Sequence, residues 1–216
     1  MSTAPDALPV PASFLFSPVV NAVRADALPG KKPGLCPLPA AARLPFLGSV
    51  DEEPKIADCF IGWNERGFGL RFLFDNTPAL KKGAERQITL WFDGRPDGKS
   101  RRAGRFCRQL QLTFTGGSAK VSTEEIAIDQ NRESPTAFDP SSVRAEISKL
   151  KAGDRIDIWL DAEAIPGFDP ESSPRLGFTY LIDDPLAGRQ TPAAGPEFPI
   201  DRDPTLWLLL RLTDEI

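Results

Sequence analysis

From Lys55 onward the apolar positions recur at every second residue, the period of a strand that buries one face. Phe68, Leu70, Phe72 and Phe74 share one face, and Gly69, Arg71 and Leu73 share the other. Ile88, Leu90 and Phe92 stand against Thr89, Trp91 and Asp93. Phe106, Leu110, Leu112 and Phe114 stand against Cys107, Gln109, Gln111 and Thr113. Further rows are Val143, Ala145, Ile147, then Ile156, Ile158, Leu160, opposed by Asp157, Trp159, Asp161. Leu176, Phe178, Tyr180, Ile182 and Leu206, Leu208, Leu210, Leu212 complete the series. Asn64-Glu65-Arg66-Gly67 reads as a hairpin loop ending in glycine.

These rows predict an all-β chain of about eight or more strands. One apolar face per strand points to antiparallel sheets packed face to face, a β-sandwich of jelly-roll or immunoglobulin-like type. Residues 141–150 follow Pro140 and read as a strand, while residues 162–165 predict a single helical turn before Pro166.

The first fifty residues break this pattern, because nine of the 22 prolines fall there. Residues 1–12 read as a disordered tail. Residues 13–216 read as one domain, with 13–50 forming a proline-rich strap or edge strands around Phe14–Phe16 and Leu44–Leu47.

Composition narrows the chemistry. Fourteen Phe against one Tyr and one Met suit a core of rigid rings. A net charge of −4 argues against nucleic acid as a partner. The absence of histidine removes Ser-His-Asp and Cys-His catalysis and the usual zinc sites. Cys36, Cys59 and Cys107 are widely spaced and odd in number, so they read as buried free thiols in a reducing compartment. With no signal-peptide pattern and no apolar run of membrane-spanning length, the expected location is the cytoplasm, away from membranes.

Several groups are candidates for chemistry. Gly94–Ser100 superficially matches a phosphate loop, but it contains Pro96 and opens no helix, so it reads as a polar connection. Lys99, Arg101, Arg102, Arg105 and Arg108 form a basic patch suited to an acidic polysaccharide, a phosphate or an acidic partner, or else a solvated charged edge. Asp75, Asp93, Asp161, Asp183 and Asp184 stand at strand ends, where turn chemistry, calcium ligation or acid–base work on a glycosidic bond are all open. No metal or cofactor site is assigned. Trp91, Trp159 and Trp207 stand opposite the aliphatic rows, so they either pack or present ring faces to a ligand. Trp63 shares parity with Cys59 and Ile61 and reads as core.

Five segments, in order, carry a family resemblance. They are Ile61–Glu65 with Leu70–Phe72, Thr89–Asp93, Ile156–Ile165, Leu176–Tyr180 with Asp183, and Arg202-Asp203-Pro204-Thr205 with the strand after it. Together they resemble the family 9 carbohydrate-binding modules and the wider DOMON-like group. Stretches around Arg105–Cys107, Gly177–Tyr180 and Pro196–Pro199 look like bacterial proteins of this group, especially those of planctomycetes. The resemblance implies a β-sandwich and sugar binding without catalysis. Sugar-binding members clamp the ligand between two tryptophans, and the matching places here hold Lys82-Gly83 and Ile200-Asp201. The expected function is a non-catalytic module binding a saccharide or related polyol through Trp91, Trp159, Tyr180, Trp207, Arg202 and Asp203. The alternative is an interaction protein of the same fold that has lost sugar binding and uses its basic patch on a protein partner.

Overall fold

The computed structural model describes residues 19–214 apart from 32, 33, 52, 76 and 119. The expected tail at 1–12 and the segment Phe14–Phe16 lie outside the described residues. Among the described residues there are eleven strands: β1 Val19–Arg24, β2 Asp58–Asn64, β3 Gly67–Leu73, β4 Glu85–Asp93, β5 Cys107–Thr115, β6 Val121–Ile126, β7 Val143–Lys149, β8 Asp154–Asp161, β9 Arg175–Asp184, β10 Gly188–Gln190 and β11 Leu208–Thr213. They form one mixed sheet in the order β6-β5-β4-β9-β11-β1-β2-β3-β8-β7, with β10 added to β9.

The expectation of purely antiparallel sheets fails at one strand. β1 runs parallel to β11, with Val19 opposite Leu209, and parallel to β2, with Val23 opposite Gly62. This short strand joins two antiparallel halves into a single ladder. The ladder curves until its halves face each other. Phe68 of β3 meets Phe92 of β4 edge-on at 5.9 Å, and Phe72 of β3 meets Tyr180 of β9 at 5.2 Å. The predicted rows Phe68–Phe74, Ile88–Phe92, Leu110–Phe114, Ile156–Leu160 and Leu176–Ile182 all enter this core. Burying each such side chain contributes roughly 1.5–3 kcal/mol.

Residues 25–31 and 34–43, together the 25–43 segment, cross the outer face of β2, β3 and β8. Leu28, Leu35, Cys36, Leu38 and Ala42 pack there on Trp159. Two glycines permit the close approach. A Cβ on Gly69 would meet Leu28 at 2.9 Å, and one on Gly62 would meet Leu38 at 2.4 Å. Polar contacts fix the segment: Asn64 donates to the carbonyls of Ala25 and Leu28, and the amides of Gly34 and Leu35 donate to Glu146.

Leu44–Leu47 is not a strand. Only Arg43 makes a bridge, to Phe60, while Leu44 enters the core and a 3-10 turn covers Leu47–Asp51. The predicted helical turn is a 3-10 turn at Ala162–Ala164. No helix among the described residues is long and apolar enough to cross a membrane.

Candidate functional site

The aromatic residues expected to meet a ligand are all packed inside. Trp159 is fully buried beneath the 25–43 segment, its indole N–H donating to Asp161 at 2.6 Å. Trp91 and Trp207 are buried in an outer cluster with Ala103, Cys107 and Ile128. The Trp207 N–H donates to the Ile200 carbonyl at 2.7 Å, whereas that of Trp91 is buried with no partner. Tyr180 lies in the core, its hydroxyl accepting from Gln190 at 2.8 Å. Both faces of these strands are therefore covered, and no ring face of the four is open to a sugar. Asp203 caps the 3-10 turn Pro204–Leu206, accepting from the amide and hydroxyl of Thr205. Arg202 is exposed, 3.8 Å from Asp129. The two family clamp places hold an exposed Lys82 and a buried Ile200.

Of the basic patch, Lys99, Arg101, Arg102 and Arg105 are exposed on the β4–β5 loop. Arg108 is not part of that surface. It stands on the core-facing row of β5, is buried, pairs with Glu125 at 2.8 Å, and donates to the carbonyls of Ala164 and Thr136. A buried guanidinium requires such partners, and here it ties the β6–β7 loop to the turn after β8.

That tie shapes the open end of the molecule, where the loops 94–106, 127–142 and 162–174 converge. Arg132 N–H donates to the Ala103 carbonyl and Arg102 to the Gln130 carbonyl, joining two of the loops. Gln130 takes φ 55°, a left-handed conformation that a non-glycine residue adopts at a cost. Gly167, at φ 77°, lets Phe106 lie directly on the Pro166–Phe168 turn, since a Cβ there would be 2.7 Å from the Phe106 ring.

The result is a cleft of about 540 Å³ whose walls include Phe106 and Phe168, both half-buried, with Pro166, Thr136, Glu163 and Arg105 around them. The Arg105 guanidinium sits 4.9 Å from the centre of the Phe106 ring. A second cavity of about 320 Å³ lies across the same Arg105–Phe106 ridge and is faced by Arg95, Arg102, Arg132, Asp93 and Asp97. Burial pushes the Asp93 carboxyl up from its ordinary value, against the Arg95 amide that bonds it. Asp97 is held down at about 2 by the Ser100 hydroxyl and by the amides of Ser100 and Lys99.

The strand-end aspartates are engaged separately: Asp161 with Trp159 and Arg144, Asp183 with Arg189, and Asp184 with Arg86 and a turn. Among the described residues no three acidic or sulfur-bearing side chains gather as a metal site. Phe168 and Thr136 escaped the sequence reading. The available signal was an aromatic ring in a Pro-Gly turn, outside every strand row; the structure packs one side of it against the core and leaves the rest half-exposed.

No protein-family model matches the sequence, and no curated protein does. Solved structures do. A family 9 carbohydrate-binding module of Caldicellulosiruptor kristjanssonii, in complex with cellotriose, superposes with a TM-score of 0.53 at 12% identity, over 93% of this chain and 92% of that one. A family 9 module of the same organism in complex with glucose gives 0.56 at 10% identity, over 92% and 96%. At that identity the likeness concerns architecture alone, and the architecture of this chain is that of the family 9 carbohydrate-binding modules.

Proposed function

We propose that the protein is a non-catalytic module that binds a saccharide or related polyol in the Phe106–Phe168 cleft. The observation that carries this reading is the pairing of two half-buried rings in one cavity of ligand size. An aromatic face takes the C–H side of a pyranose, while Thr136, Glu163 and Arg105 supply polar groups for its hydroxyls. The likeness to modules solved with cellotriose and glucose supports it. The site is displaced from the tryptophan clamp of the sugar-binding members, whose places are filled here by Lys82-Gly83 and Ile200-Asp201. The three buried, unpaired cysteines support a cytoplasmic location.

The test is a glycan array followed by calorimetry on the parent, Phe106→Ala and Phe168→Ala. The expected result is a bound saccharide whose affinity falls at least tenfold in both variants, with each variant still unfolding cooperatively. An array with no binder, or variants that bind like the parent, overturns the reading. The second reading, an interaction protein, is favoured by the burial of all four tryptophans beside an exposed basic loop. Its mark would be an acidic protein partner lost when Arg101 and Arg105 are neutralised, with no saccharide bound.

A further inference from the structure

The cavity across the Arg105–Phe106 ridge carries an imbalance of unmet charge. Two of its three acids are already engaged. Asp93 accepts from the Arg95 amide and the Cys107 thiol, and Asp97 accepts from Ser100 and the Lys99 amide. Asp169, nearby, holds Arg95 and Ser172. Glu133 faces the cavity and is exposed, as is Glu163 in the adjoining cleft. The cations are in a different state. Among the described residues Arg101, Arg102, Arg105 and Arg132 make no ion pair with an acidic side chain, whereas Arg43, Arg71, Arg86 and Arg189 toward the molecule's opposite end each do. Arg102 spends one donor on the Gln130 carbonyl. Arg102, Arg105 and Arg132 line this cavity and are exposed, and Arg105 also lines the adjoining cleft.

A planar guanidinium offers paired donors in the geometry of a carboxylate or sulfate, and such charge-assisted bonds are about twice as strong as neutral ones. A chain of net charge −4 that gathers unpaired arginines on one loop end concentrates its positive field there. We infer that the cleft selects an anionic saccharide, with the sugar ring on Phe106 and Phe168 and its carboxylate or sulfate across the ridge on Arg102, Arg105 and Arg132. This inference rests on the saccharide reading of the same cleft and adds the charge of the ligand.

The experiment titrates the full chain with trigalacturonate, with a sulfated oligosaccharide of equal length, and with neutral cellotriose. Each is measured at 50 mM and 500 mM salt, for the parent and for Arg132→Gln with Arg102→Gln. The parent is expected to bind one or both anionic sugars at least tenfold more tightly than cellotriose at low salt, with that advantage shrinking at high salt as the charges are screened. In the double variant the ratio of anionic to neutral affinity falls toward one. Thermal unfolding of the same samples reports whether the fold is intact, and Arg132→Gln alone keeps the Arg102–Gln130 bond. Equal affinity for neutral and anionic sugars, or an unchanged ratio in the variants, overturns the inference while leaving saccharide binding in place. Binding of polyglutamate with no sugar bound overturns both and returns the cleft to a protein partner.

Discussion

Trp63 stands next to the end of β2 with its ring inside the core and its indole N–H on the Ala22 carbonyl at 2.9 Å. Its burial and its carbonyl acceptor were legible in the sequence, because parity with Cys59 and Ile61 places it on the core face and a buried indole needs an acceptor. The other three tryptophans were not legible in the same way. Alternation assigned Trp91 and Trp159 to the opposite face correctly, yet it cannot say what covers that face. The covers are the 25–43 segment over Trp159 and the Ala103–Ile128–Trp207 cluster over Trp91, and neither is encoded near the tryptophan it buries. Trp63→Ala should cost about 3–5 kcal/mol, as large buried aromatics do, and Trp63→Phe should cost less because most of the ring volume remains. Denaturant unfolding of both variants measures it. An alanine variant within about 1 kcal/mol of the parent would show that the ring is dispensable to the core, against the burial argument.

At the scale of elements, the strands that the sequence reveals are those with a continuous apolar row, β2 to β5, β7 to β9 and β11. β6 is hidden because Val121–Ile126 reads Val-Ser-Thr-Glu-Glu-Ile and is exposed or half-buried throughout, as an edge strand should be. β1 is hidden because only Ala22 and Val23 are buried in it, and its parallel pairings depend on two distant strands. The covering segment was legible as apolar and proline-rich, but its register over Gly62 and Gly69 was not. That register is set by the missing side chains of the glycines beneath it. A Gly69→Val variant should therefore lift the segment, at about 1–3 kcal/mol for overpacking. Cys36 reports the change. In the parent its thiol is buried over Gly69 and donates to the Ile158 carbonyl, and burial, aided by the Asp157 carboxylate, pushes it up to about 12. Maleimide at neutral pH should leave the parent unlabelled and label Gly69→Val at Cys36, with Cys59 protected in both. Protection of Cys36 in a folded variant would mean that the segment accommodates the added carbons without moving.

The molecule as a whole is closed at its two ends by arginines with different fates. At the loop end Arg108 ties the loop of Thr136 to the turn of Ala164, while Arg101, Arg102 and Arg105 stay exposed. At the far end Arg86 is fully buried, 2.7 Å from Asp184 and 3.2 Å from Asp154, with its guanidinium 3.7 Å from the centre of the Phe74 ring. Neither role was readable in the sequence, because Arg86 and Arg108 sit on apolar rows where alternation expects carbon, and only the folded ends of the sheet explain them. Removing Arg86 as Arg86→Leu should cost about 3–5 kcal/mol, since it leaves two carboxylates without their cation. The pH dependence follows from Asp184. Burial raises its carboxyl, but the amides of Leu186 and Ala187 and the Arg86 guanidinium outweigh that and set it below the ordinary 3.8. A group depressed in the folded state binds fewer protons there than in the unfolded chain. Its contribution to stability is therefore complete above about pH 5 and fades as pH falls through the folded-state value. Asp184→Asn should be less stable than the parent at pH 7, and the gap should narrow as pH falls below the unfolded-state value of about 3.9 toward the lower folded-state one. Urea titrations of both proteins at pH 7, 5 and 3 decide the matter. A gap of constant size across that range would assign the effect to lost hydrogen-bond geometry, and the charge of Asp184 would then play no part in holding the far end closed.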